Sequence, residues 1–455
     1  MTARPAEQDY SNSTEWLGAL VEKNRRGHPI GIYSICSANR FVLEAGMLQA
    51  KRDGNLLLIE STSNQVNQYG GYTGQTPAQF FAFVNKVAAS MDFPTSRIIV
   101  GGDHLGPHVW RNENSSSAML KAKELVRASV LAGYTKIHLD ASMHLADDLG
   151  ERAKPLSDEI VSQRAADLCR VAEDAYGKLP LGSPAVLYVI GTEVPIPGGE
   201  LLDAKAPETT RVDDLSQTIQ LTHRAFLEQG LEAAWERVIA VVVQPGVEFG
   251  DQVVIPYSRE NTQQLSKFAI EGWHGIYEAH STDYQTRSAL RQMVFDHFAV
   301  LKVGPWLTFA FREAVFAMAE IEQEWLGNRK GVVLSHVPAV LEGAMLADPQ
   351  YWKGYYCGDE AALRFARKYS LSDRCRYYWP KPAVASALET LLDNLRAHPA
   401  PISLLSQFLP NQSAAVRDGK IANDPVAMVR NKIGEVIDQY TYAAGGGTHQ
   451  HSSCF

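Results

Sequence analysis

The 455-residue chain lacks any run approaching the roughly 20 apolar residues that cross a bilayer, and its first thirty residues are polar and charged, with no apolar leader core. Membrane and secretory readings therefore find no support. No G-x-G-x-x-G or G-x-x-x-x-G-K-[ST] string follows any strand-like stretch, which argues against nucleotide binding, kinases included. Cysteine is scarce: Cys36, Cys169, Cys357, Cys375 and Cys454 form an odd set of five with no C-x-x-C spacing. Neither a disulfide framework nor a thiolate zinc site is expected, and a reducing cytoplasm is the expected location. There is no basic excess either: 43 Lys and Arg against 51 Asp and Glu give a net charge of −8, no footprint for nucleic acid or anionic lipid. A phosphorylated small molecule would need a local site.

What is present is the composition of an ordinary soluble enzyme, 45% hydrophobic and 21% charged. Short apolar runs recur at residues 31–37, 56–60, 98–100, 136–140, 185–190, 238–243, 275–280 and 298–303, separated by longer segments of helical pattern. Eight strands alternating with helices predict an α/β fold, a (β/α)₈ barrel, better than an open doubly wound sheet. From about residue 306 the pattern is helical, for example 307–325 and 383–396, broken by the aromatic, basic run 374–380. The expected organisation is a barrel domain with insertions over 1–395 and a helical C-terminal extension over 396–455. Its tail from residue 443 reads as flexible, with His449 and His451 as solvated groups rather than metal ligands.

One stretch stands out. Ile98-Ile99-Val100 runs into Gly101-Gly102-Asp103-His104-Leu105-Gly106-Pro107, which reads as a buried strand delivering Asp103 and His104 to its tip, with a helix-capping role for the pair as the alternative. Other strand ends bring Asp140 and Ser142, Thr192 and Glu193, Gln244, Glu278, His280 and Asp283, and Lys302. Carboxylates and imidazoles converging from different strands can hold a divalent cation, zinc or manganese, with His104, His280 and Glu193 as the expected ligands. Asp103 is then the expected general acid and base, and Asp140 or Glu278 a second proton-transfer group. The polar loop 65–77 carries Asn67 and Gln68, and the loop 194–200 is likewise glycine-marked; such loops fold over a polyol or phosphate, or are plain connections. Gly304 stands where barrels often bind phosphate. Lys302 is read, in order, as a buried ion-pair partner, a phosphate contact or a Schiff-base amine. Arg374 and Arg376 are candidate phosphate ligands, while the surrounding aromatics read as core.

Gly101–Pro107, Asn67–Gly74, Ile137–Ser142, Gly191–Gly199, Glu278–Asp283 and Leu301–Pro305 together resemble the GatZ/KbaZ family, over residues 30 to 430. Its members have been labelled the non-catalytic subunit of tagatose-1,6-bisphosphate aldolase and, on older grounds, tagatose-6-phosphate kinase. The family is similar to zinc-dependent class II aldolases, in which a strand-end Asp-His pair supplies an acid and a metal ligand. This implies those roles for Asp103 and His104, with Glu193 and His280 as further ligands. The aldolase's glycine-rich His-Gly segment is missing, and Val303-Gly304-Pro305 replaces its catalytic asparagine. Some branches of the family act alone as sugar epimerases, and similarity to them implies a metal-assisted D-tagatose 6-phosphate 4-epimerase, working by cleavage and re-closure of the C3–C4 bond. The alternative is a non-catalytic subunit stabilising an aldolase. Expected partners are a small sugar phosphate and either a second copy of the chain or a class II aldolase subunit, with no nucleic acid and no membrane.

Overall fold

The β-branched runs form short parallel strands because both faces of each are covered, one by barrel interior and one by helices. The structure is a computed structural model describing residues 12–150, 155–191, 207–273 and 275–445. The strands are β1 (Ile32–Ile35), β2 (Leu57–Thr62), β3 (Ile98–Leu105), β4 (Lys136–Leu139), β5 (Leu187–Ile190), β6 (Val238–Val242), β7 (Glu248–Phe249), β8 (Val254–Ile255), β9 (Ile276–Ala279) and β10 (Phe298–Val303). Eight of them close into a barrel in the order β1-β10-β9-β6-β5-β4-β3-β2, and β7 and β8 make a small antiparallel hairpin after β6. The chain is thus a (β/α)₈ barrel with a helical C-terminal region, and no helix among the described residues is long and apolar enough to cross a membrane.

The expectation that strand three stops at Val100 needs correction. It runs on to Leu105, pairing Gly101, Gly102 and Asp103 with Glu60, Ser61 and Thr62 of β2. The glycines serve crowding rather than termination: a Cβ on Gly101 would lie 2.8 Å from Glu60 Oε1 and 3.0 Å from the Lys136 carbonyl. Beyond them the register with β4 slips between Gly102 and Leu105, and His104 takes φ +50° in the left-handed region. Such bulges re-aim side chains at the rims of barrels.

The barrel interior is layered by the two-residue period of its strands. At the bottom, Ile32, Leu58, Ile99, Leu187, Ile276 and Val300 pack with Leu17, Leu20 and Val21 of helix Ser13–Arg25, which plugs that end. Two residues further along come Ser34, Glu60, Lys136, Glu278 and Lys302, all buried. Two further still come Asp103, His138 and His280. At the C-terminal end of the chain, helix Pro425–Ala443 is tied to the barrel by Arg430 to Glu44 (2.8 Å) and by the Tyr440 hydroxyl, which donates to the Thr282 carbonyl (2.9 Å) in the loop after β9.

Candidate active site

The polar interior is a stack of two charged layers. In the lower one, Lys136 Nζ sits 2.8 Å from Glu60 Oε1 and 2.7 Å from Glu278 Oε2, while Lys302 pairs closely with Glu60 and lies 3.0 Å from Asp103 Oδ1. Burial by itself would push Lys136 down, yet Glu278 and Glu60 hold it above its ordinary value. Lys302 is likewise raised against its burial by Asp103 and the two glutamates. The first of the three readings for Lys302, a buried ion-pair partner, describes its geometry.

Above lies the imidazole layer. The rings of His104, His138 and His280 have centroids 5.2, 4.9 and 5.3 Å apart. One ligand atom from each of Asp103, His138, Glu278 and His280 falls within 4.8 Å of the others, a buried group suited to a divalent cation. The fit is supported by His138 Nε2, which is buried without a hydrogen-bond partner. His138 Nδ1 lies 3.1 Å from Asp103 Oδ1, and His280 Nε2 lies 3.1 Å from Glu278 Oε1. Burial lowers His280 to about 4, so it stays neutral and able to ligate.

Asp103 and His104 are placed differently from each other. Burial works to raise Asp103, but Lys302, His104 and His138 hold its carboxyl well below the usual range. His104 Nδ1 lies 2.9 Å from Asp140 Oδ2, and Asp140 is fixed in turn by the Ser142 hydroxyl, which donates to its Oδ1 at 2.7 Å. Burial opposes protonation of His104, yet Asp103 and Asp140 raise it above its ordinary value. Gly106 makes this possible: a Cβ there would fall 1.5 Å from the Asp140 carbonyl oxygen.

A cavity opens over these layers, lined among others by Asp103, His104, His280, Asp283, Lys302 and Gly304. Two segments roof it, the loop after β2 and the turn Arg374–Tyr378, whose Tyr72 and Tyr377 rings meet edge-on at 4.6 Å. Arg376 lines the cavity, held by the Ser372 and Asp373 carbonyls and the Tyr377 hydroxyl. Arg374 does not: it packs over the Tyr355 ring and donates to the Tyr351 carbonyl.

Other expected contacts are also spent elsewhere. Asn67 accepts from the Tyr69 and Gly71 N–H groups and donates to the Ser63 carbonyl, so it builds the loop instead of facing the cavity. Gln68 reaches the Lys121 carbonyl, and Gln244 caps its own turn by accepting from Gly246 and Val247. Ser142 and Asp140 do not line the cavity, nor does Glu278, which lies beneath His280. Thr192, Glu193, the loop 194–200, His449, His451 and Cys454 lie outside the described residues.

Sequence reasoning passed over Glu60, Lys136 and His138 as site residues. The signal was available: alternation along Lys136-Ile137-His138-Leu139-Asp140 puts three polar groups on one face of a strand whose other positions are apolar.

The match to known proteins is extensive. A family model described as D-tagatose-1,6-bisphosphate aldolase subunit GatZ/KbaZ-like covers residues 17–445. The chain belongs to the GatZ/KbaZ-like family. The D-tagatose-1,6-bisphosphate aldolase subunit GatZ of Escherichia coli O1:K1 / APEC is 46% identical over 94% of this chain and 99% of its own length. The GatZ of Shigella flexneri is 47% identical with the same coverage. Among solved structures, that of a probable tagatose 6 phosphate kinase from Sinorhizobium meliloti 1021 superposes with a TM-score of 0.82 at 41% identity, covering 91% of this GatZ/KbaZ-like chain and all of that one.

Proposed function

We propose that this GatZ/KbaZ-like protein inverts C4 of D-tagatose 6-phosphate, giving D-fructose 6-phosphate by cleaving and re-forming the C3–C4 bond. The observation that carries the reading is the buried Asp103, His138, Glu278 and His280 group, whose Asp103 and His280 line one cavity together with the Asp140-paired His104. A divalent cation, zinc or manganese, held by that group would act as a Lewis acid toward ketose oxygens. The roles expected for Asp103 and His104 exchange. Asp103, already engaged by Lys302 and His138, stays a carboxylate and belongs with the cation-holding set. His104, with Nδ1 committed to Asp140, presents Nε2 to take the proton from O4. As that proton leaves, the C3–C4 electron pair passes into the three-carbon fragment as an enediolate and C4 becomes an aldehyde. Rotation of the aldehyde, re-addition on its other face and return of the proton from His104 to O4 invert the centre. Asp140 is a positioning residue, and Arg376 is the cation available for the phosphate.

The names of the GatZ relatives favour a second reading, a subunit supporting a separate tagatose-bisphosphate aldolase, and GatZ-type association is compatible with the same barrel. NMR of D-tagatose 6-phosphate incubated with the purified chain, with and without zinc or manganese, separates them. Fructose 6-phosphate without free triose phosphate is expected, and His104→Asn should lower the rate by about 10²–10⁴ with metal content unchanged. Triose release, or no conversion until an aldolase subunit is added, overturns the epimerase reading.

A further inference from the structure

Barrels commonly hold substrate phosphate on backbone N–H groups at a helix start after their last strands. Here that place is taken by the chain itself. Gly304 N and Trp306 N, at the start of helix Pro305–Leu326, both donate to Asp283 Oδ1, at 3.0 and 2.8 Å, and residue 305 between them is proline with no N–H to offer. Asp283 is 3% exposed and lines the cavity, with its Oδ1 accepting both of those N–H groups. A second phosphate arriving at this corner meets a carboxylate instead of donors.

The rest of the cavity has capacity for one phosphate. Its described lining carries two permanent cations, Lys302 and Arg376. Lys302 is already matched by Glu60, Asp103 and Glu278, whereas Arg376 is held by carbonyl and hydroxyl oxygens and by no carboxylate within 4.0 Å among the described residues.

We propose that Asp283 is a specificity-determining residue: by filling the helix start it makes the cavity select a ketose monophosphate, with a hydroxyl at the Asp283 corner, over a ketose 1,6-bisphosphate. This rests on the ketose-phosphate reading above. A hydroxyl can donate to this carboxylate, while a phosphate suffers like-charge repulsion and displaces a buried cap. A bisphosphate carries phosphate at both ends, so whichever way it enters, one anion lacks a partner.

Isothermal titration at pH 7.5 with D-tagatose 6-phosphate and D-tagatose 1,6-bisphosphate tests this on the wild type and on Asp283→Asn, whose side-chain oxygen can still accept from Gly304 and Trp306. The wild type should bind the monophosphate at least about ten-fold more tightly. The variant should gain about ten-fold for the bisphosphate while the monophosphate moves less than about three-fold. Equal wild-type affinities, an unchanged ratio in a folded variant, or no binding of either sugar overturns the proposal, and the wild-type ratio decides alone should the variant not fold. A wild type that shows the preference yet converts no monophosphate overturns the epimerase reading and leaves the role of Asp283 standing. One that converts the monophosphate but binds the bisphosphate equally does the reverse.

Discussion

Replacing Lys136 by methionine removes a fully buried ammonium from between two carboxylates, Glu60 at 2.8 Å and Glu278 at 2.7 Å. The lower interior then holds Glu60, Glu278 and Asp103 against Lys302 alone. Methionine fills much of the lysine stem's volume, so the loss is electrostatic rather than a cavity. Stripping one partner from a buried ion pair costs about 3–5 kcal/mol, because an uncompensated charge stays in low dielectric. Urea unfolding followed by tryptophan fluorescence reads this directly. With an m-value near or above 3 kcal/mol/M for a chain of this size, the midpoint should fall by roughly 1–1.5 M. Adding Glu60→Gln removes the orphaned charge but keeps an acceptor for Ser34, whose hydroxyl donates to Glu60 Oε2 at 2.5 Å. The double variant should therefore recover about 2 kcal/mol or more, a coupling within the range for contacting groups. A Lys136→Met midpoint within about 0.2 M of wild type, or a double variant less stable than the single, refutes the view that these charges hold each other in place.

Asp283 carries a pH signature: burial raises its carboxyl from 3.8 to about 6, with Arg376 the cation facing it and Tyr284 and Tyr440 beside it. A raised folded-state value means stability present below pH 4 and lost as pH climbs through 6, roughly 3 kcal/mol in all. Asp283→Asn should match wild type near pH 4 and exceed it by about that amount at pH 7, and parallel pH–stability curves would count against the buried charge. Zinc or manganese at 100 times its dissociation constant should stabilise the wild type by about 2.7 kcal/mol, measured as a thermal shift with metal counted by mass spectrometry. His138→Asn and His280→Asn should each abolish most of that gain, and an undiminished shift removes the residue from the ligand set. Gly106→Ala drives a methyl to 1.5 Å from the Asp140 carbonyl. It should cost more than about 3 kcal/mol or reorganise the loop, and a stable, fully active Ala variant contradicts the close approach.

Local pattern alone determined much of this protein. Eight short apolar runs alternating with helical segments favour a closed parallel barrel over an open sheet, and the spacing along Ile276-Tyr277-Glu278-Ala279-His280 already puts the acid and the imidazole on one face. The strings around Asp103-His104 carried the family. What the chain could not disclose locally was which polar groups meet, because that depends on closure of β1 against β10 and on the strand register, which brings Lys302 to Glu60 across 242 residues and His138 beside His104 and His280. Period-two alternation names the inward residues but not their partners. Nor does it tell a side chain facing the cavity from one spent on its own turn: Asn67 and Gln244 close loops, and Arg374 lies over Tyr355 two residues from Arg376 in the cavity wall. The surroundings of Asp103 and His104 were likewise decided by tertiary contacts, Lys302 on one and Asp140 on the other, and a proton's preferred seat is set by the charges around it.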